Sequence, residues 1–464
     1  MTMTPLTAER PQLALDPEQA RRIFRQVLAA SRSEETEAII HSTISELTRF
    51  ANNAIHQNVA ERTLSLSVRT VSGGRTARAS TNRLDEASVR AVVARAEALA
   101  ERQEPDPELL PMAEAQSYSA VAREIAATTA LTPQDRAATV AEMVAIAERE
   151  RMTAAGIMAN SHSAFSILNS RGLEAHYRET SAEYSVTMLA ADSSGWAKGN
   201  APDVRQLDPV GGARRAMEKA RLSAHPIEIP PGRYTVVLEP AAVLDLLGFL
   251  FWDFGGLAVL DQRSCLTGRV GTQLFGTNIT VVDDVYHPLQ SGAPFDGEGV
   301  PRQRVPLIEN GVVRGLVFAR PSAARAQREK PELNARPTGH GFPLPNEYGE
   351  APMNIVMAGG DGDGEALIAG VSRGILVTRL WYIREVDPYR KILTGMTRDG
   401  TFLIENGQLT RGVRNFRFNQ SVIEMLRQVE RLGRAVRASG EESFDMVVPP
   451  LLVRDFNFTE VTKF

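Results

Sequence analysis

The sequence is poor in the residues that form disulfides or bind metal ions. It has one cysteine, Cys265, and seven histidines among 464 residues. A secreted protein of this length usually carries paired cysteines, so the composition predicts a reducing compartment. No two histidines lie three, four or five residues apart, so no helix offers a pair of imidazoles to a zinc ion. A site assembled from distant histidines stays open at this point.

The sequence also lacks a long apolar run and an excess of either charge. Its longest apolar segment, residues 241–254, contains Asp245 and Asp253 and is too short to span a bilayer. Residues 1–20 contain no apolar stretch of the kind found in signal peptides. A net charge of −4 gives no overall positive field for nucleic acid. We therefore predict a cytoplasmic protein with no membrane partner and no nucleic-acid partner.

The first half of the chain has the pattern of an α+β domain. Three helix starts have a capping side chain followed by proline, at Asp16, Thr132 and Asp208. A further helix fits residues 85–102. Between the helices apolar residues alternate with polar ones, as in residues 64–69 and 165–178, which is typical of hairpins. We predict an N-terminal domain over residues 16–225 in which helices pack on a largely antiparallel sheet.

The second half is richer in strands. Three prolines interrupt regular structure between residues 223 and 232. After them helical patterns are confined to residues 241–254, 322–328, 365–372 and 421–432. Strand patterns occur at residues 234–238, 278–282, 311–318, 354–358, 375–383, 401–406 and 451–458. We predict a C-terminal domain over residues 226–464 that is β-rich, with a curled or barrel-like sheet.

Few side chains are candidates for chemistry. Asp283 with Asp284, and Asp296 with Glu298, could supply an acid and a base, although such residues more often cap turns. His340 lies between two glycines and could contact a ligand. A lone cysteine such as Cys265 is usually a small core residue, and the glycine-rich residues 358–365 fit a surface loop better than a phosphate or calcium site.

Several short segments match a known family in their order along the chain. They are R-F-A-N-N (49–53), A-S-T-N (79–82), G-R-Y-T-V-V-L-E-P (232–240), V-V-D-D (281–284), F-D-G-E-G (295–299), L-I-E-N-G (307–311) and F-L-I-E-N-G (402–407). On these segments the chain resembles the TldD/PmbA family, the "modulator of DNA gyrase" type of peptidase, over about residues 16–460. Each segment is short, but their order makes the match specific.

The resemblance implies which branch of the family this chain follows. TldD-type subunits carry H-E-x-x-x-H on a buried helix of the second domain, with a cysteine near the C-terminus. The corresponding helix here is residues 244–253, which offers mainly Leu, Gly, Phe and Trp, and residues 444–464 contain no cysteine. The resemblance therefore implies a TldE/PmbA-like subunit without the zinc motif and with no catalytic residue or metal ligand of its own. Hydrocarbon side chains bury well but cannot coordinate a metal.

The expected function follows from that branch. The resemblance implies a non-catalytic subunit that pairs with a TldD-like zinc peptidase chain, with zinc in the partner and an extended or unfolded peptide as substrate. Strand addition would suit peptide capture. Four residues are candidates to face the peptide: Asp283, Asp284, His340 and Arg379. An autonomous metal-independent hydrolase using Asp283, Asp296 or Cys265, and a regulatory binding protein, remain the alternatives.

Overall fold

The structure is a computed structural model that describes residues 14–462. Its N-terminal half is built on one six-stranded sheet in the order β3-β2-β1-β4-β5-β6, in which all neighbours are antiparallel. The strands are β1 (Glu35–Ala51), β2 (Ala54–Ser72), β3 (Arg75–Thr81), β4 (Thr153–Asn169), β5 (Glu174–Leu189) and β6 (Ser194–Ala201), and the helices are α1 (Pro17–Ala30), α2 (Glu86–Ala100), α3 (Ala126–Thr129), α4 (Pro133–Arg149) and α5 (Pro209–Leu222).

The starts of α1, α2, α4 and α5 lie at capping side chains, whereas α3 begins without one. Asp16 and Thr132 each form a capping box, in which the side chain accepts the N–H three residues on and the reciprocal bond is also present. Asp85 and Asp208 accept the N–H groups of Ser88 and Gly211 in the same way. These side chains satisfy backbone donors that a helix leaves free in its first turn.

The two faces of this sheet have different neighbours because strand side chains alternate between them. Ile40, Leu66 and Leu168 point to the face that is covered by the helices. Ile39 and Tyr177 point to the opposite face, where they pack against residues that include Phe295 of the C-terminal half. The prediction of helices on an antiparallel sheet is confirmed, and the second face of the sheet meets the rest of the molecule.

The C-terminal half contains two further sheets. Its strands are β7 (Gly232–Leu238), β8 (Val281–Asp283), β9 (Val305–Glu309), β10 (Val312–Val313), β11 (Ile355–Met357), β12 (Arg373–Asp387), β13 (Ile392–Glu405), β14 (Gln408–Gly412), β15 (Phe416–Ser421), β16 (Val429–Leu432), β17 (Val436–Ala438), β18 (Met446–Val448) and β19 (Leu451–Val461). Its helices are α6 (Pro240–Phe251), α7 (Gly256–Leu260), α8 (Arg320–Glu329), α9 (Gly364–Ile368) and α10 (Val422–Arg427).

One of these sheets closes on itself. Neighbouring strands run β12-β7-β19-β15-β13, and β13 then pairs with β12 again. The other sheet has the order β10-β9-β8-β11-β18-β17. Helix α6 packs against β12, and its apolar side chains belong to the largest core cluster of the molecule. The prediction of a β-rich half with a curled, barrel-like sheet is confirmed.

Three local predictions in this half are wrong. Residues 421–432 are not one helix, because α10 ends at Arg427 and β16 then pairs with β19. Helix α9 ends at Ile368, four residues before the expected end, and in residues 311–318 the only strand is the two-residue β10. In the first case pairing with a distant strand overrides the local apolar pattern, which is the same for a short helix and a strand.

Candidate functional site

The structure brings two of the four predicted peptide-facing residues together. His340 Nε2 lies 2.9 Å from Asp283 Oδ1, and both side chains are fully buried. Asp284, the next residue, accepts the N–H of Tyr286 and lies 3.5 Å from Arg304 instead. Arg379 is elsewhere, on β12, where it is paired with Asp399. That these four residues face a peptide stays a prediction.

The His340–Asp283 pair is held in place from both ends. Asp283 closes β8, and its second oxygen accepts the N–H of Asn354 at 2.8 Å. His340 Nδ1 contacts the Thr338 hydroxyl at 3.0 Å. Burial alone would raise the pKa of Asp283, but the charge and hydrogen bond of His340 lower it overall, with help from Arg302. The two side chains therefore form a buried hydrogen-bonded pair.

Asp296 and Glu298, both in the F-D-G-E-G turn, are two further buried acidic residues near this pair. Asp296 accepts the N–H groups of Glu298, Val300 and Gly341. A Cβ on Gly341 would lie 2.6 Å from one Glu298 oxygen and 3.2 Å from an Asp296 oxygen, so glycine lets both carboxyl groups approach the backbone at this position.

Burial perturbs both carboxyl groups of the turn. It raises the pKa of Asp296, and together with the Asp296 charge it raises the pKa of Glu298 to about 8. With a pKa of about 8, Glu298 keeps its proton at neutral pH. The expectation that such acids mostly serve turns fits the backbone bonds of Asp296.

A cavity of about 280 Å³ lies beside these groups, between the two halves of the molecule. The first sheet contributes its second face, and the C-terminal half contributes loops. The lining residues are His41, Ser163, Phe165, Tyr177, Glu179, Ala293, Phe295, Asp296, Gly297, Arg302, His340, Gly341, Phe342 and Pro343. The sequence alone does not predict this cavity, because the first sheet and the C-terminal loops that line it are more than 100 residues apart in the chain.

Cys265 does not have the surroundings of a nucleophile. Its side chain is buried, and its backbone N–H donates to Asp253 Oδ1 at 2.7 Å. Burial, and then the Asp253 charge, raise the pKa of the Cys265 thiol above its usual range. A reactive cysteine needs the opposite, a lowered pKa and access to solvent.

Residues 370–374 spell G-x-S-x-G, the pentapeptide of the serine-hydrolase nucleophile turn. In hydrolases this turn leads from a strand into a helix, with the serine at its sharp bend. Here the order is reversed, because α9 precedes the segment and β12 begins at Arg373. Ser372 is exposed, and its carbonyl accepts the N–H of Asn406. The match at residues 370–374 therefore lacks the strand-to-helix turn that the motif requires.

In TldD-type subunits the resemblance places zinc ligands on the helix that corresponds to α6, so the side chains of α6 show whether this chain could hold such an ion. Its only side chain with a metal-binding atom is Asp245, which is fully buried. Asp245 Oδ1 accepts the N–H of Glu442 at 3.0 Å, and burial raises the pKa of this carboxyl group to about 7. One carboxyl group that tends to keep its proton does not fit a zinc site of three or four ligands.

The rest of the described chain offers no alternative set of ligands. Within residues 14–462 no group of three or more His, Cys, Asp or Glu side chains is arranged to hold a metal ion. Over the same residues, none of the helices combines the length and apolar composition needed to cross a membrane.

Comparison of the whole chain with solved structures identifies its fold. A crystal structure of TldE from Thermococcus kodakarensis superimposes with a TM-score of 0.83, at 20% identity over 95% of this chain and 99% of that chain. A Thermotoga maritima protein described as a modulator of DNA gyrase gives the same TM-score and identity over 95% of this chain and 100% of the other.

Curated relatives match over shorter segments. An uncharacterized protein of Methanocaldococcus jannaschii is 30% identical over 166 residues, 35% of this chain and 38% of that protein. A protein of Methanothermobacter thermautotrophicus named metalloprotease is 26% identical over 301 residues, 60% of this chain and 61% of that protein. The chain thus spans less than two thirds of the length of these relatives.

Family models cover nearly all of the chain. The model of the PmbA/TldA metallopeptidase domain 1 matches residues 36–100, that of the central domain matches residues 82–224, and that of the C-terminal domain matches residues 231–460. The chain therefore belongs to the TldD/PmbA family of metallopeptidase-related proteins.

Proposed function

We propose that this chain is a non-catalytic, TldE/PmbA-like subunit of a heteromeric zinc peptidase in the cytoplasm. The observation that carries the proposal is the surface of α6. Its side chains are hydrocarbon except for Asp245, and that carboxyl group is engaged with a backbone N–H. The names of relatives, metalloprotease in one case and TldE in another, support the family of reaction and the type of subunit.

In this proposal the partner is a TldD-like chain that holds the zinc ion and cleaves an extended or unfolded peptide. This chain contributes a folded scaffold and part of the peptide-binding surface. Its two proposed domains, residues 16–225 and 226–464, act as one body because the first sheet packs against C-terminal loops. The alternative of an autonomous hydrolase using Asp283, Asp296 or Cys265 has less support, because all three side chains are buried.

Co-expression with a TldD-type chain of the same organism tests the proposal. We expect the two chains to purify together, with zinc and peptide cleavage in the complex. The lone chain should contain less than stoichiometric zinc by elemental analysis and should cleave no peptide. A matched pair of complexes, with wild-type chain or Asp245→Asn, should hold equal zinc. Stoichiometric zinc in the lone chain, or cleavage by it that survives a chelator, would overturn the proposal.

A further inference from the structure

Arg302 lines the cavity between the two halves of the molecule. Its guanidinium group has buried nitrogens with no hydrogen-bond partner in the described part of the chain. Its main chain is fixed, because its N–H donates to Pro294 and its carbonyl accepts the Tyr286 hydroxyl. Its Nε and Nη1 are both shielded from solvent and find no hydrogen-bond acceptor within residues 14–462. These two N–H donors have lost their hydrogen bonds to water and form none with the described residues in return.

The two carboxylates whose pKa values Arg302 influences already accept hydrogen bonds from other groups. Arg302 is close enough to Asp283 and Asp296 to lower the pKa of the first and to oppose the rise in the second. Both oxygens of Asp283 are occupied, by His340 and by the Asn354 N–H. Both oxygens of Asp296 accept backbone N–H groups. These two acids balance the charge of Arg302 but leave its N–H groups without an acceptor.

The cavity beside Arg302 has walls suited to a small organic acid. Phe165 and Phe295 stack at 5.6 Å in one wall, and Phe342 lies in another. A guanidinium group forms its strongest hydrogen bonds with carboxylates, and aromatic walls favour the apolar part of the same ligand. Glu179 also lines the cavity, but one of its oxygens accepts the Gly292 N–H and the Tyr177 hydroxyl.

We propose that this cavity binds the carboxylate of a small acid or of a peptide C-terminus, with Arg302 as the group that recognises it. The apolar part of the ligand lies against Phe165, Phe295 and Phe342. The site belongs to this chain alone, so it requires neither a partner subunit nor zinc. Its failure would therefore leave the proposed subunit role untouched.

Calorimetric titration of the purified chain with three probes tests the chemistry. The probes are N-acetylphenylalanine, its amide N-acetylphenylalaninamide, and the tripeptide Ala-Ala-Phe. The acid should bind about 10-fold to 100-fold more tightly than the amide, since only a carboxylate accepts charge-assisted hydrogen bonds. Tighter binding of the tripeptide than of the acid would identify a peptide C-terminus, and the reverse a free acid. Equal binding of acid and amide, or binding of neither, would overturn the proposal.

Variants place the binding at Arg302. Arg302→Met should weaken binding of N-acetylphenylalanine by about 10-fold or more, and Arg302→Lys should weaken it less because the charge remains. The matched control is Arg304→Met, two residues away with an exposed side chain, which should bind as the wild type does. Circular dichroism melts establish that each variant is folded. Unchanged affinity in folded Arg302→Met would contradict the assignment.

Discussion

Glu298 shows how one buried residue should make the stability of this protein depend on pH. Its pKa is raised to about 8 from 4.5 by burial and by Asp296, so the folded protein holds this proton more tightly than the unfolded chain. The contribution of Glu298 to the free energy of unfolding is therefore complete below pH 4.5 and is lost as the pH rises through about 8. The same reasoning applies to Asp296, whose pKa is also raised.

Replacing Glu298 by glutamine should remove its share of this loss. The amide keeps an oxygen for the Arg320 N–H, which donates to Glu298 at 2.9 Å, but it has no proton to lose. The free energy of unfolding of Glu298→Gln, measured relative to that of the wild type, should increase by on the order of 2 kcal/mol from pH 5 to pH 9. Urea denaturation at both pH values measures this. Glu332→Gln, at an exposed position, is the control and should change neither value.

Asp283 should be needed for stability whatever its role in binding. Asp283→Ala leaves His340 Nε2 and the Asn354 N–H without their acceptor in a fully buried site. We expect a loss of about 3–5 kcal/mol in the free energy of unfolding, as when one member of a buried ion pair is removed. Asp284→Ala should cost only about 1 kcal/mol, since its side chain is partly exposed and lies 3.5 Å from Arg304. Urea denaturation of both variants tests the contrast, and equal losses would contradict it.

At the scale of elements, local patterns predict the helices and strands better than the site. Capping residues predict the starts of α1, α4 and α5 because their hydrogen bonds reach only three residues along the chain. The pair of Asp283 and His340 joins residues 57 positions apart. Arg302 and side chains of the first sheet line one cavity because the two halves pack together. No sequence period records such contacts, so the candidate residues could be named but not assembled.

For the substitution Gly248→Ala in helix α6, packing and helix propensity predict opposite changes in the free energy of unfolding. In a free helix Gly→Ala stabilises by about 1 kcal/mol. Here a Cβ on Gly248 would lie 1.8 Å from Ser443 Oγ and 2.6 Å from Ser443 Cβ. Gly248→Ala should therefore lower the free energy of unfolding by about 1–3 kcal/mol, because the loop of residues 440–444 must move.

A second substitution separates this clash from other effects. Ser443→Gly removes the two atoms that the new Cβ would overlap, so the double variant should recover most of the loss seen in Gly248→Ala. Thermal unfolding of the wild type, the two single variants and the double variant provides the full cycle. A Gly248→Ala variant that is more stable than the wild type would show that the loop does not press on α6.

At the scale of the whole molecule, the N-terminal and C-terminal halves are tied together by polar and aromatic contacts. Arg123 is 6% exposed, and its main chain pairs with β5, where its carbonyl accepts the Thr180 N–H. Its guanidinium group reaches the carbonyls of Gly292, Val285 and His287 in the other half. Phe165 and Phe295 stack across the same boundary.

These contacts predict that Arg123 couples the two halves. In Arg123→Met the apolar stem remains but three carbonyls lose their charged donor, so the free energy of unfolding should fall by about 2–4 kcal/mol. Hydrogen exchange should accelerate first in residues 285–301, where those carbonyls and the cavity wall lie, while the closed ring of β7, β12, β13, β15 and β19 keeps its protection. The matched control is Arg22→Met, at an exposed position on α1. If exchange accelerates equally in the ring, Arg123 supports the fold as a whole; if it is unchanged in residues 285–301, the boundary does not depend on this arginine.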